Sequence, residues 1–261
     1  MMRLLARHAP IAAAVVALVA SAPTARAQVT VDDRLTSLAE HVKKKADDQA
    51  CTVIDGLVQT FATMSEEEQK KTIAAVEKCL NAKREEGDDK LFEATVSSFA
   101  NFKELGEKAT VRSLKAPNVD KRRGVLNKAL LSLAFHKNPA NVKTLVDYLV
   151  HNEPLVVAGA AEGLGSYADQ PEKVRKPIVE ELVKNYAQFA SAASNASATN
   201  AQKATAKDRL NTVEKPFQGA LQKLTGQEFK DAPSAQKWFN DNKGKKWADP
   251  AAAGAGGPAK N

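Results

Sequence analysis

Aromatic side chains make up only 5% of this 261-residue chain, too few for an aromatic-rich β structure. Two cysteines are too few for a disulfide-framed scaffold. Thirteen glycines and 11 prolines exclude a collagen-like or linker chain. Past residue 27 no apolar run approaches the roughly 20 residues that a membrane span needs. No His-Glu-x-x-His, Gly-x-Ser-x-Gly, phosphate-cradling glycine loop or Cys-x-x-Cys-His occurs. Catalysis therefore has no anchor, and the chain is expected to be non-enzymatic, with no cofactor and no metal. What is present is 43% hydrophobic and 26% charged, built on small aliphatic residues, as suits a soluble globular protein.

The first 27 residues read as a leader. Arg3 and Arg7 precede an apolar run from Ile11 to Ala20, and Ala25-Arg26-Ala27 offers a small-x-small cleavage site before Gln28. The run is too short for an anchor, so the expected location is exported, periplasmic or extracellular after cleavage. The leader holds three arginines and no acid, which reduces the net charge from +7 to +4. That excess favours anionic surfaces only mildly.

From Val31 to Phe61 the apolar residues Leu35, Leu38, Val42, Ala46, Ala50, Val53 and Leu57 fall three or four apart, the signature of one long amphipathic helix. Asp55-Gly56 inside it marks a kink. Ser65 followed by Glu66-Glu67-Glu68 is a capping box that opens a second helix faced by Ile73, Val76 and Leu80. Cys51 and Cys79 lie 14 residues either side of position 65, and each is in phase with the seam of such a hairpin. In an oxidising compartment they are expected to form a disulfide, which would contribute about 3–4 kcal/mol in the loop-entropy account.

Beyond the charged turn from Lys83 to Asp89 the chain resembles itself. Thr95 with Phe99-Ala100, Ala129 with Leu133-Ala134, and Ala160 with Leu164-Gly165 recur 34 and then 31 residues apart. A second helix follows each, carrying Val111 and Leu114, then Val142, Leu145 and Leu149, then Val174, Ile178 and Leu182. Ala or Gly on the first helix lets its partner come close. Stacked pairs bury faces that one pair cannot, which gives an α-solenoid. The run from Val156 to Tyr167, followed by Pro177-Ile178-Val179-Glu180-Glu181-Leu182, resembles a HEAT repeat of the short bacterial type, in which an Ala-x-x-x-Leu-Gly segment closes the first helix. The copies at 121–150 and 88–115 match progressively less well. The resemblance implies scaffolding and protein binding.

Residues 190–206 are Ala, Ser, Asn, Thr and Gln without apolar periodicity and read as a flexible connection. Leu210, Val213, Phe217, Leu221 and Leu224 form a further stripe that ends at Gly226, a helix C-cap. The Leu-Thr-Gly-Gln segment followed by Trp238 and Trp247 is similar to the C-terminal ends of some exported bacterial HEAT-like proteins. The expected fold is all-α: a leader over 1–27, a helical hairpin over 28–87, HEAT-like repeats over 88–189, a flexible connection over 190–206, a helical cap over 207–248 and a disordered tail over 249–261.

Three basic clusters stand out, Lys43 to Lys45, Lys121-Arg122-Arg123 and Lys243 to Lys246. Each reads first as solvated charge. Lys121, Arg122 and Arg123, with Trp238 and Trp247, are the candidate binding surface. His41, His136 and His151 make no metal or catalytic arrangement and suit surface or capping roles. The expected function is a scaffold that presents its helical repeats to a protein or cell-envelope partner. The alternative is an anion-binding module that uses converging basic clusters on cell-surface polymers. Nucleic acid is not an expected partner, since that role would ask for a basic excess on one face with aromatics for stacking, and export argues against it.

Overall fold

The computed structural model describes residues 29–247, so the expected leader and the whole of the expected tail lie outside the described residues. The described chain is helical throughout, with twelve α-helices and no strand among the described residues. The helices are α1 (Val31–Lys43), α2 (Asp47–Thr60), α3 (Glu66–Lys78), α4 (Lys90–Ser98), α5 (Lys103–Ser113), α6 (Pro117–Asp120), α7 (Arg123–Phe135), α8 (Val142–Asp147), α9 (Pro154–Gly165), α10 (Glu172–Ser194), α11 (Asn200–Thr225) and α12 (Ala232–Asn242).

Two expected elements differ. The long first helix is broken into α1 and α2 at Lys44 to Ala46, where Lys45 takes the left-handed backbone at φ 56°. The two pieces then pack on each other, and α1 also reaches α3, so the hairpin is a three-helix unit. The connection expected over 190–206 shrinks to residues 195–199 between α10 and α11. Thr199 caps α11, accepting from the Gln202 N–H while the Gln202 side chain accepts from the Thr199 N–H, and this nucleates helix where apolar periodicity is missing. The box at Ser65 and Glu68 starts α3 in the same way.

Each first helix packs on its neighbour in chain order: α2 on α4, α4 on α7, α7 on α9 and α9 on α11. The second helices lie alongside, with α3 on α5, α8 on α9, α10 on α11 and α12 on α10. One continuous core follows this order and includes Ile54, Phe92, Phe99, Leu133, Leu164, Ile178 and Phe217. Of the expected Val111 and Leu114, Leu114 is buried just past α5 but Val111 is exposed, and Ala109 and Thr110 are buried on α5 in its place.

Polar bonds tie each unit to the next. Asn127 donates to the Leu155 carbonyl at 2.7 Å, Ser166 to the Ala134 carbonyl at 3.0 Å, and Tyr167 to the Asn138 carbonyl at 3.0 Å. Asn138 and Asn141 both donate to Glu107 at 2.7 and 2.9 Å. The separations along the chain are 28, 32, 29, 31 and 34 residues, close to the period of the sequence pattern. The small residues of α9 make this spacing possible. A Cβ on Gly159 would lie 2.6 Å from the Asn127 amide, and one on Gly165 would lie 2.9 Å from the Ala220 backbone.

The turn expected to be a boundary is stitched into its surroundings. Arg84 forks onto Asp47 and also donates to the Val42 carbonyl at 2.9 Å. Arg122 pairs with Asp89 and donates to the Arg84 and Glu85 carbonyls.

Candidate functional site

The long helices α10 and α11 run past the rest of the bundle, joined at residues 195–199. Tyr186 locks them together: its ring stacks on Phe217 at 5.5 Å, its hydroxyl donates to Glu214 at 3.0 Å, and it accepts from Gln218 at 3.1 Å. Their residues within 185–192 and 201–209, with Leu149 and Val150 of the 3-10 turn Tyr148–Val150 that follows α8, line a cleft of about 580 Å³. Leu149, Val150, Phe189, Ala192, Ala201 and Ala206 supply apolar walls. Val150 is 70% exposed beside it.

The polar residues at the cleft are His151, Asn185, Gln188, Gln202, Thr205 and Arg209. Asn185 is buried and its amide donates to the Glu181 carbonyl at 2.8 Å. His151 accepts from the Glu153 N–H at 3.1 Å through Nδ1. Arg209 is half-buried, with its guanidinium 5.6 Å from the centre of the Phe189 ring. Among the described residues no Asp or Glu lines the cleft. A second hollow of about 800 Å³ lies between α1 and α3 over Leu35, Leu38, Val42 and Cys79, and charges of both signs, Asp32, Glu40, Lys43 and Lys78, border it.

The expected disulfide is not formed: Cys51 and Cys79 are free thiols. Both turn towards α4, which packs against α2 and against the 3-10 turn Cys79–Asn81, so neither thiol faces the other across a two-helix seam. Cys51 Sγ approaches the Lys90 carbonyl at 3.9 Å, and Cys79 Sγ donates to the Ala75 carbonyl at 3.7 Å. Burial pushes the Cys79 thiol up to about 12, and burial also raises Cys51, so both are poor nucleophiles near neutrality.

The candidate surface residues do not form one site. Arg122 is turned inward, its side chain only 13% exposed, bound to Asp89 and lying over the Phe92 ring at 4.9 Å, while Lys121 and Arg123 stay exposed. Trp247 is 8% exposed, with its indole N–H donating to the Asn242 carbonyl at 3.0 Å and Lys176 over its ring. Trp238 packs between Trp247 and Phe229 with centroids 5.4 and 5.8 Å away. Neither ring stands free as a platform, because Trp247 belongs to the core and Trp238 is packed against it. The basic clusters occupy separate elements: Lys43 to Lys45 at the first corner, Lys121 to Arg123 between α6 and α7, and Lys243 to Lys246 after α12. His136 is not a simple surface group, since its Nε2 is buried without a partner among the described residues.

The sequence pattern did not single out Val150, Phe189 or Arg209. The one available signal is that Arg209 has no acid at three or four residues either side, where Thr205, Ala206, Thr212 and Val213 stand. Among the described residues no helix is long and apolar enough to cross a membrane. No protein-family model, curated protein or solved structure matches the chain.

Proposed function

We propose that this chain is an exported, non-enzymatic helical-repeat protein, an α-solenoid of HEAT-like helix pairs, that holds a protein or cell-envelope partner at the cleft between α10, α11 and the Tyr148–Val150 turn. The nearest-neighbour packing and the bonds recurring at 28 to 34 residues support the solenoid reading. The leader pattern supports export. One observation carries the binding reading: the Arg209 guanidinium sits in an apolar concavity with no carboxylate beside it. Concave, mostly apolar sites with a few placed polar groups are where ligands bind. The alternative use of basic clusters on polymers is less supported, since the Arg122 side chain serves the fold.

A photo-crosslinking side chain placed at Gln188, on the exposed rim of the cleft, tests this in the envelope fraction of the source cell. A discrete adduct is expected at Gln188 and none at exposed Glu67 on α3. Adducts at Glu67 with none at Gln188 would contradict the assignment.

A further inference from the structure

We infer that the cleft takes an amphiphilic carboxylate, a single apolar chain ending in one carboxylate group, with its head on Arg209 and its tail along Leu149, Val150 and Phe189. This rests on the cleft being the binding site proposed above.

The charge pattern selects the head group. Arg84, Arg112 and Arg122 each grip a carboxylate of this chain, respectively Asp47, Glu77 and Asp89. Arg209 has only the Phe189 ring among the described residues. It stands over apolar side chains, and among the described residues the only other titratable group lining the cleft is His151, which adds no negative charge. A half-buried guanidinium presents a planar fork of donors that a carboxylate matches with two parallel hydrogen bonds. One fixed cation balances one negative charge, so a monoanion fits better than a phosphate dianion.

The walls select the tail. Away from their ends α10 and α11 spend their backbone N–H and C=O groups inside the helices, so an extended peptide would find few backbone partners beside Phe189 and Arg209. A hydrocarbon chain needs none. The apolar side chains Val150 and Phe189 offer it surface to bury, and a volume of about 580 Å³ is that of a small-molecule site, roughly 300–1,000 Å³.

Calorimetric titration of the protein with decanoate, decyltrimethylammonium and acetate, all below micelle-forming concentrations, tests the inference. One decanoate should bind per chain, roughly tenfold or more tightly than decyltrimethylammonium, and acetate should give no heat, because a charge-assisted pair favours only the anion and only the chain buries apolar surface. Arg209→Gln should erase the preference for the anion. Ala201→Trp, at an exposed position on the cleft wall, should abolish decanoate binding with unchanged circular dichroism, and Gln188→Trp on the facing helix is the second blocking variant. Equal binding of the two charged amphiphiles, an anion preference that survives Arg209→Gln, or no decanoate binding would overturn the inference. If decanoate fails while the Gln188 crosslinker still captures a partner, the ligand class alone is wrong. If both fail, the site itself is wrong.

Discussion

Arg122 and Arg123 are neighbours with opposite roles. Arg122 holds Asp89 and two carbonyls of the preceding turn, whereas Arg123 is 72% exposed and reaches Glu153 only at 3.9 Å. Removing Arg122 leaves partly buried acceptors unpaired, so Arg122→Ala should cost about 1–3 kcal/mol in urea denaturation. Arg123→Ala should stay within about 0.5 kcal/mol. Equal losses would mean that the turn is not held as described. His136 gives a pH signature. Burial lowers its proton affinity, against the opposing pull of the Glu107 charge and the Phe99 carbonyl. Its folded form thus binds a proton less readily than the unfolded chain does. Stability should be fully present above the unfolded value near 6.5 and fall as pH drops through that value towards the lower folded one. The melting temperature of the wild type should fall between pH 7 and 5 by more than that of His136→Gln. Parallel curves would remove His136 from the account.

At the scale of the helix, small residues set how closely neighbours approach. A Cβ at Gly106 would lie 1.9 Å from the Phe99 carbonyl oxygen, which backbone cannot vacate, whereas nothing lies within 4 Å of one at Gly219. Gly106→Ala should therefore cost about 3 kcal/mol, at the upper end of overpacking effects. Gly219→Ala should stabilise by about 0.5–1 kcal/mol through helix propensity alone. Thermal melts of the two variants in the same direction would contradict this assignment. The elements readable in sequence are those whose signal is local. Ser65 with Glu68 marks the start of α3, Gly226 at φ 74° ends α11, and the stripe from Val213 to Leu224 lies against the core. The break between α1 and α2 was hidden because a lysine, not a glycine, adopts the left-handed turn at position 45. The outer parts of α10 and α11 were hidden because they project from the core and so lack an apolar stripe.

For the whole molecule, the order of packing follows the order of the chain. The periodic pairs Thr95-Phe99, Ala129-Leu133 and Ala160-Leu164 were legible because all six residues are fully buried. The cleft was not legible, since its walls come from Leu149 and Val150, from Phe189 and from Arg209, segments tens of residues apart that only the stacking brings together. The disulfide failed for the same reason: its geometry assumed two helices facing each other, whereas α4 packs against α2 and against the 3-10 turn Cys79–Asn81. The most direct test of this arrangement is zero-length carbodiimide coupling of lysines to carboxylates, read by mass spectrometry of the digested protein. The described ion pairs predict links between Lys90 and Asp48 and between Lys137 and Asp169, which join successive units 42 and 32 residues apart. Finding those links beside local ones such as Lys70 to Glu66 would support the stacked row. Local links without them, or dominant links joining residues 29–90 to residues 200–247, would contradict it.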